Sequence, residues 1–198
     1  MKPLVVLALD ISKRRTGWAV GGADWRRPIW GTHEIVGDWA RREGHHLHSW
    51  REFLIETIER HQVNYIAMER FFIDMRDFDF NGTVPIAQMH GVVIELAEAR
   101  KIRCGDADIK SWRQRFLGTA VAPKGMPADR RRKWWKELAV KACVARNWYV
   151  THDDEAEAIG ILDFTLAALD EDYAHRVGPA VRRQEWKREQ AVFRGEDA

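Results

Sequence analysis

The first clear hydrophobic segment of the chain, residues 4–9, contains only apolar residues and is followed by Asp10. An uninterrupted apolar run of this length predicts a strand that is buried on both faces. A polar turn follows, and residues 16–20 resume the apolar pattern, which predicts a β-hairpin. Residues 29–36 predict a third strand. The chain is therefore expected to begin with three consecutive antiparallel strands.

Helices and short strands alternate in the rest of the pattern. Helical spacing of apolar residues predicts helices over 42–60, 85–100, 128–147 and 152–169, with a short helical turn over 109–116. Thr83 is the expected N-cap of the second helix, with Pro85 in its first turn. Residues 63–68 and 101–107 predict two more strands. The order predicts an α/β fold in which a mixed sheet is flanked by helices.

Length and composition indicate a single domain. The chain has 198 residues, of which 45% are hydrophobic, and we expect one domain over residues 1–172 and a charged C-terminal tail over residues 173–198. It contains no apolar run of membrane-spanning length and no signal-peptide pattern, so we expect a cytoplasmic protein without a membrane partner. Cys104 and Cys143 lack the spacing of metal ligands and are expected to be reduced.

Positive charge is concentrated in one part of the sequence. From Lys110 to Asn147 there are 11 Lys or Arg against two acids, a net charge of +9 on a chain whose overall charge is +2. A basic segment on an otherwise acidic chain is typical of a protein that contacts a phosphate backbone. A solvated basic helix face is the alternative interpretation.

Four carboxylates occupy positions where they can meet. Asp10 and Glu69 each end a predicted strand, and such strand ends can lie side by side at one edge of a sheet. Asp154 and Glu157 lie three residues apart, on one face of the last helix. Turn capping by Asp10 and helix capping by the later acids are the alternatives. Asp153 could also take the place of Asp154.

Motifs in this order resemble the RuvC-type Holliday-junction resolvases of the ribonuclease H-like superfamily, in particular the phage and prophage versions, over residues 3–170. The resemblance is carried by ALDISKRRTGWAV with Asp10, AMERFF with Glu69 and Phe72, QMHGVV near Gly91, ADIKSW with Lys110, and DDEAEAIG with Asp154 and Glu157. The chain departs from the family at Ile11-Ser12, where Pro-Gly is frequent. It also has Glu157 where the family usually has Asp.

The resemblance implies a ribonuclease H-like fold and a magnesium-dependent crossover junction endodeoxyribonuclease that cuts branched DNA. Its metal ligands would be Asp10, Glu69, Asp154 and Glu157, with Lys110 as a further catalytic residue. Hard oxygen ligands select Mg²⁺, for which Mn²⁺ can substitute. Two such ions about 3.5–4 Å apart would activate water and stabilise the leaving oxygen.

The resemblance also implies partners. A four-way junction has two-fold symmetry, so we expect a homodimer, with its contact on the Pro85–Arg100 helix. The expected DNA-binding residues are Phe72, Lys110, Arg113, Lys124, Arg131, Arg132, Lys133 and Lys136. The family's basic residue beyond the glycine-containing loop could be Lys124, Lys133 or Lys136. Phe72 either wedges into the junction or packs under its loop, with Phe71 then taking the exposed role.

Three other functions are alternatives to this one. A junction-binding protein of the same fold that does not cut is disfavoured by the presence of all four carboxylates. A ribonuclease H acting on RNA–DNA hybrids fits the same residues. An actin-like ATP-binding domain also opens with a strand ending in Asp, but it predicts a second Gly-rich phosphate turn. This chain has an acidic helix start there instead.

Overall fold

A five-stranded mixed sheet forms the centre of the fold, with the strands in the order β3-β2-β1-β4-β5. The computed structural model describes residues 3–72 and 78–176. Its strands are β1 Val5–Asp10, β2 Arg15–Gly22, β3 Ile29–Glu34, β4 Tyr65–Glu69 and β5 Arg103–Ala107. β1, β2 and β3 pair antiparallel, whereas β4 runs parallel to both β1 and β5. The predicted mixed α/β sheet, with three antiparallel strands first, is confirmed.

Helices cover both faces of the sheet. They are α1 Trp39–His61, α2 Phe80–Arg100, α3 Ile109–Leu117, α4 Ala128–Val144, α5 Asp153–Leu169 and α6 Glu171–Arg176. Leu7 and Leu9 of β1 pack on the side of α1 and α2. Val6 and Ala8 pack on the side of α3, α4 and α5. Alternate side chains of a strand point to opposite faces, so β1 is buried on both sides, as its sequence predicts.

Helix α2 begins earlier in the structure than the sequence predicts. Thr83 was wrong as its N-cap, because Asp79 caps the helix one turn earlier and accepts a hydrogen bond from the Asn81 N–H at 3.1 Å. Pro85 therefore lies inside the helix. Proline has no N–H to donate to the carbonyl four residues before it. That carbonyl, on Asn81, accepts instead from Lys13 Nζ at 2.7 Å, which ties the β1–β2 hairpin to α2.

Two parts of the sequence expectation fall partly outside the described residues. The loop that carries Phe72 includes residues 73–77, and the charged C-terminal tail includes residues 177–198. The division of the chain at residue 172 stays a prediction. Within the described residues, we find no helix that combines the length and the apolar character needed to span a membrane.

Gly17 allows α5 to approach the sheet very closely. It lies on β2 directly across from Asp10 of β1. A Cβ atom at this position would lie only 1.9 Å from the main-chain oxygen of Asp154, in the first turn of α5. No side chain fits there. This glycine therefore places the start of α5 beside the end of β1.

We expect Gly17→Ala to destabilise the protein by about 3 kcal/mol, at the upper end of what overpacking costs, because main-chain atoms must move. Gly44→Ala is the matched control. Gly44 lies within α1, and an added Cβ there would have no neighbour within 4 Å, so a gain of about 0.5–1 kcal/mol is expected. Urea unfolding measures both. Equal stability of the Gly17 variant and wild type would contradict the close packing.

Candidate active site

Three carboxylates meet where β1 ends and α5 begins. Asp10 is the last residue of β1, and Asp154 and Glu157 lie in the first turns of α5. One oxygen atom of each side chain lies within 4.8 Å of the oxygens from the other two. The spacing of three residues between Asp154 and Glu157 gives them a common helix face. The structure thus brings together three of the four predicted ligands.

Glu69, the fourth predicted ligand, lies at the end of β4, the parallel neighbour of β1. It stands outside the group of three, but its charge acts on both Asp10 and Glu157. Its Oε2 atom accepts a hydrogen bond from the indole N–H of Trp112 at 2.9 Å. Trp112 is fully buried and packs on α5 at Gly160, where a Cβ would lie 2.8 Å from the indole ring. Trp112 therefore holds Glu69 on the side of the other acids.

The remaining acids of the α5 start have different contacts. Glu155 accepts hydrogen bonds from the main-chain N–H groups of Thr151 and His152, at 2.7 and 3.1 Å, so it caps the helix. Asp153 forms ion pairs with Lys136 and Arg15. It is not one of the three clustered carboxylates. The geometry thus favours Asp154 over Asp153 as a ligand.

Burial and mutual repulsion disfavour the charged forms of these acids. Burial, followed by the charges of Glu157, Glu69 and Asp154, raises the pKa of Asp10 well above its ordinary value. Burial raises the pKa of Glu157 to about 7, although Lys136 acts in the opposite direction. Burial also raises the pKa of Glu69. A cation among hard oxygen donors would relieve this repulsion, so the residues fit Mg²⁺ or Mn²⁺.

Cationic side chains surround the acids. Lys136 Nζ lies 2.7 Å from Asp154 Oδ1 and 3.9 Å from Glu157 Oε2. Arg113 Nη2 lies 3.6 Å from Glu157 Oε1, and its guanidinium stacks over the ring of Trp135. At the other oxygen of Asp154, Arg15 Nε donates to Oδ2 at 2.7 Å. The site therefore pairs a buried group of acids with a cationic rim.

Comparison with known proteins gives the fold. No protein-family profile and no curated protein sequence matches the chain. The structure of Thermus thermophilus RuvC aligns with it at a TM-score of 0.61 and 14% identity, over 89% of this chain and 98% of that chain. This chain has the RuvC fold. The predicted ribonuclease H-like architecture is thereby confirmed.

Two further solved structures also align with the chain. T. thermophilus RuvC in complex with a Holliday junction substrate aligns at a TM-score of 0.61 and 11% identity, over 89% of this chain and 97% of that chain. The yeast mitochondrial Holliday junction resolvase Ydc2 aligns at a TM-score of 0.51 and 12% identity, over 86% of this chain and 82% of that chain.

The other predicted basic residues lie on α3, on α4 and in the loop before α4. Arg132 and Lys133 line a groove on α4 that reaches Lys136 and Asp153. Lys124 and Arg131 are exposed around the start of α4. Lys110 is exposed on the first turn of α3, and none of the ion pairs among the described residues joins it to the four acids. Its catalytic role stays a prediction.

Phe72 is the exposed ring of the loop after β4. Its side chain is 80% exposed, whereas the ring of Phe71 packs against His90 with 5.1 Å between ring centroids. The alternative in which Phe72 packs under the loop and Phe71 is exposed is wrong. Phe72 is therefore free to contact a partner.

Sequence reasoning missed Arg15 as a residue of the site. Its signal in the sequence is the run Lys13-Arg14-Arg15 close behind Asp10, which by pattern alone predicts only a polar turn. Arg15 is the first residue of β2, two residues before Gly17, which contacts α5. The register of β2 therefore places Arg15 beside the acids of α5. Lys136 was one of three candidates for a basic residue, and the structure places it among the acids.

Because the acids repel one another, we expect Asp10→Asn to stabilise the metal-free protein at pH 8 by about 1–3 kcal/mol. One pKa unit corresponds to about 1.4 kcal/mol. The raised pKa of Glu157, about 7, means that its contribution to stability is full below the ordinary value of 4.5 and is lost as the pH rises through about 7. The pKa of Asp10 is raised in the same direction, by burial and by the charge of Glu157, so Asp10 also costs stability as the pH rises, and Asp10→Asn removes that cost.

Urea unfolding in EDTA at pH 5.5 and pH 8 measures this effect. Glu95→Gln is the control, because Glu95 is an exposed acid of α2. It should change stability equally at the two pH values. The repulsion account fails if Asp10→Asn lacks a larger gain at pH 8 than at pH 5.5.

Proposed function

We propose that this chain is a metal-dependent, structure-selective endonuclease that cuts branched DNA such as Holliday junctions. The observation that carries the proposal is the convergence of Asp10, Asp154 and Glu157, with Glu69 on the adjacent strand. The RuvC fold supports it, since T. thermophilus RuvC is seen in complex with a Holliday junction substrate. Fold alone does not determine function, so the proposal rests on the arrangement of these acids.

Asp10, Asp154 and Glu157 would hold Mg²⁺ or Mn²⁺. Glu69 lies at the end of the neighbouring strand, and its charge acts on Asp10 and Glu157. A divalent cation supplies, when bound, the positive charge that polarises a phosphate and favours attack by water. The chain itself fixes the ligands. Asp10 ends a strand whose other residues are buried, and the Trp112 indole orients Glu69 through a 2.9 Å hydrogen bond. Such outer contacts keep carboxylates in a binding geometry.

The cationic rim would bind the DNA backbone. A phosphate that approaches four acids meets strong repulsion, which Lys136 and Arg113 offset at close range. Arg132 and Lys133 extend the positive surface along the α4 groove. We propose that Lys110, Lys124 and Arg131 contact phosphates farther from the cut. Contacts of this kind supply affinity without sequence preference.

The direct test compares cutting of a four-way junction, a linear duplex and an RNA–DNA hybrid in Mg²⁺. We expect junction cutting by wild type, and junction binding without cutting by Asp10→Asn, because the charge of Asp10 serves the metal site. Cutting of the hybrid alone would indicate a ribonuclease H. Binding without cutting by wild type would indicate a non-cleaving junction protein. Wild-type rates in Asp10→Asn would show that the site is misassigned.

Phe72 would supply the preference for branches. Its ring is 80% exposed and lies three residues beyond Glu69. We expect Phe72→Ala to keep the wild-type melting temperature and to lose junction selectivity or cutting, because a ring that stacks on unpaired bases contributes about 1–3 kcal/mol. Val121→Ala, at another exposed apolar residue, is the control. Normal junction cutting by a stable Phe72→Ala would refute the role.

A homodimer would present two such sites to a symmetric junction. α2 carries an exposed apolar stripe at helical spacing, with Phe80 68% exposed, Ile94 56% exposed, and open space around Gly91. Two copies related by a two-fold axis could bury these stripes against each other. We propose this stripe as the dimer contact.

We expect Ile94→Glu to weaken the dimer about 100-fold, because it buries an unpaired charge in the contact. Sedimentation at micromolar concentration measures the association. Val121→Glu, which places the same charge on an exposed loop residue, should leave the dimer unchanged. Wild type that stays monomeric with and without junction DNA would rule out the assembly.

A further inference from the structure

Arg15 contacts two neighbouring carboxylates at the edge of the acid group. Its Nε atom donates to Asp154 Oδ2 at 2.7 Å, and its Nη2 atom lies 3.5 Å from Asp153 Oδ1. The guanidinium is planar and rigid, so one edge of it can engage two acceptors in a fixed geometry. Arg15 therefore restricts the rotation of the Asp154 carboxylate.

Lys136 contacts the other oxygens of the same two residues. Its Nζ atom lies 2.7 Å from Asp154 Oδ1 and 2.9 Å from Asp153 Oδ2. Asp153 thus binds both cations without belonging to the group of three clustered acids. A single ammonium has no preferred plane, so Lys136 can exchange partners without losing a specific geometry. Arg15 is the contact that defines an orientation.

We propose that Arg15 is a positioning residue for Asp154. It holds Oδ2 of that carboxylate, so that Oδ1, the oxygen that Lys136 contacts in the metal-free protein, is left to a divalent cation. Asp153 anchors the guanidinium in this place. The inference rests on the proposed function, because it assigns Arg15 a role in holding the divalent cation of that site. Hydrogen bonds to the ligands of a metal commonly act in this way.

Positioning and simple charge neutralisation predict opposite effects on metal binding. A cation beside the site repels a divalent ion, so removing a residue that only neutralises charge should tighten metal binding. Removing a positioning residue should weaken it. Arg15→Met removes both charge and geometry, whereas Arg15→Lys keeps the charge and loses the planar edge. The two variants therefore separate the two roles.

The experiment is a titration of the 198-residue chain with Mn²⁺, without DNA, followed by the electron paramagnetic resonance of free Mn²⁺. We expect both Arg15→Met and Arg15→Lys to raise the Kd about 10-fold or more. Arg14→Met is the matched control, since Arg14 is the exposed neighbour in the same hairpin. It should stay within about twofold of wild type. Melting curves in EDTA check that each variant is folded.

Equal or tighter Mn²⁺ binding by Arg15→Met overturns the inference, as does wild-type affinity in Arg15→Lys. Loss of folding in both variants overturns it too, because the residue would then serve the fold. Wild type that binds no Mn²⁺ at millimolar concentration overturns the proposed function itself. Junction cutting gives a second readout: the half-saturating Mn²⁺ concentration should rise in both variants, and excess Mn²⁺ should restore the rate.

Discussion

The contact between Gly17 and the first turn of α5 determines where the acids of the site lie. β1 and β2 pair so that Asp10 faces Gly17, and the main chain of Asp154 occupies the space where a side chain would be. Two elements separated by more than a hundred residues in sequence are thereby brought to one point. Without this approach, the carboxylates at the end of β1 and the start of α5 could not share a ligand.

Convergence of buried acids opposes folding, and the surrounding residues compensate for it. Lys136, Arg15 and Arg113 each lie within 4 Å of an acid oxygen. These pairs partly offset the cost of burying negative charge in a poorly solvated site. The raised pKa values of Asp10 and Glu157 show that the offset is incomplete. This remaining cost is what a divalent cation would relieve, so the same residues that weaken the metal-free fold favour metal binding.

The sequence predicted the sheet and the acids because both depend on local patterns. A buried strand that ends in a carboxylate identified Asp10 and Glu69, and the spacing of three residues identified Asp154 and Glu157. Other features depend on tertiary contacts. The sequence does not distinguish Lys136 from Lys133, because both are lysines of the same helix. In the structure, Lys136 contacts acids of α5, whereas Lys133 pairs with Glu137 on α4 itself. The position of Arg15 beside the acids depends on the register of β2, which the sequence does not reveal. Glu155 differs from the neighbouring acids because it accepts a hydrogen bond from the main-chain N–H of His152.

The most direct test of this account is a crystal structure of the protein grown with Mn²⁺, with the ion located by its anomalous scattering. The account predicts an anomalous peak about 2.1–2.3 Å from carboxylate oxygens of Asp10, Asp154 and Glu157, a distance typical of a divalent ion bound to oxygen. A peak bound by Asp153 without Asp10 would contradict it. So would crystals in millimolar Mn²⁺ that show no peak among these acids.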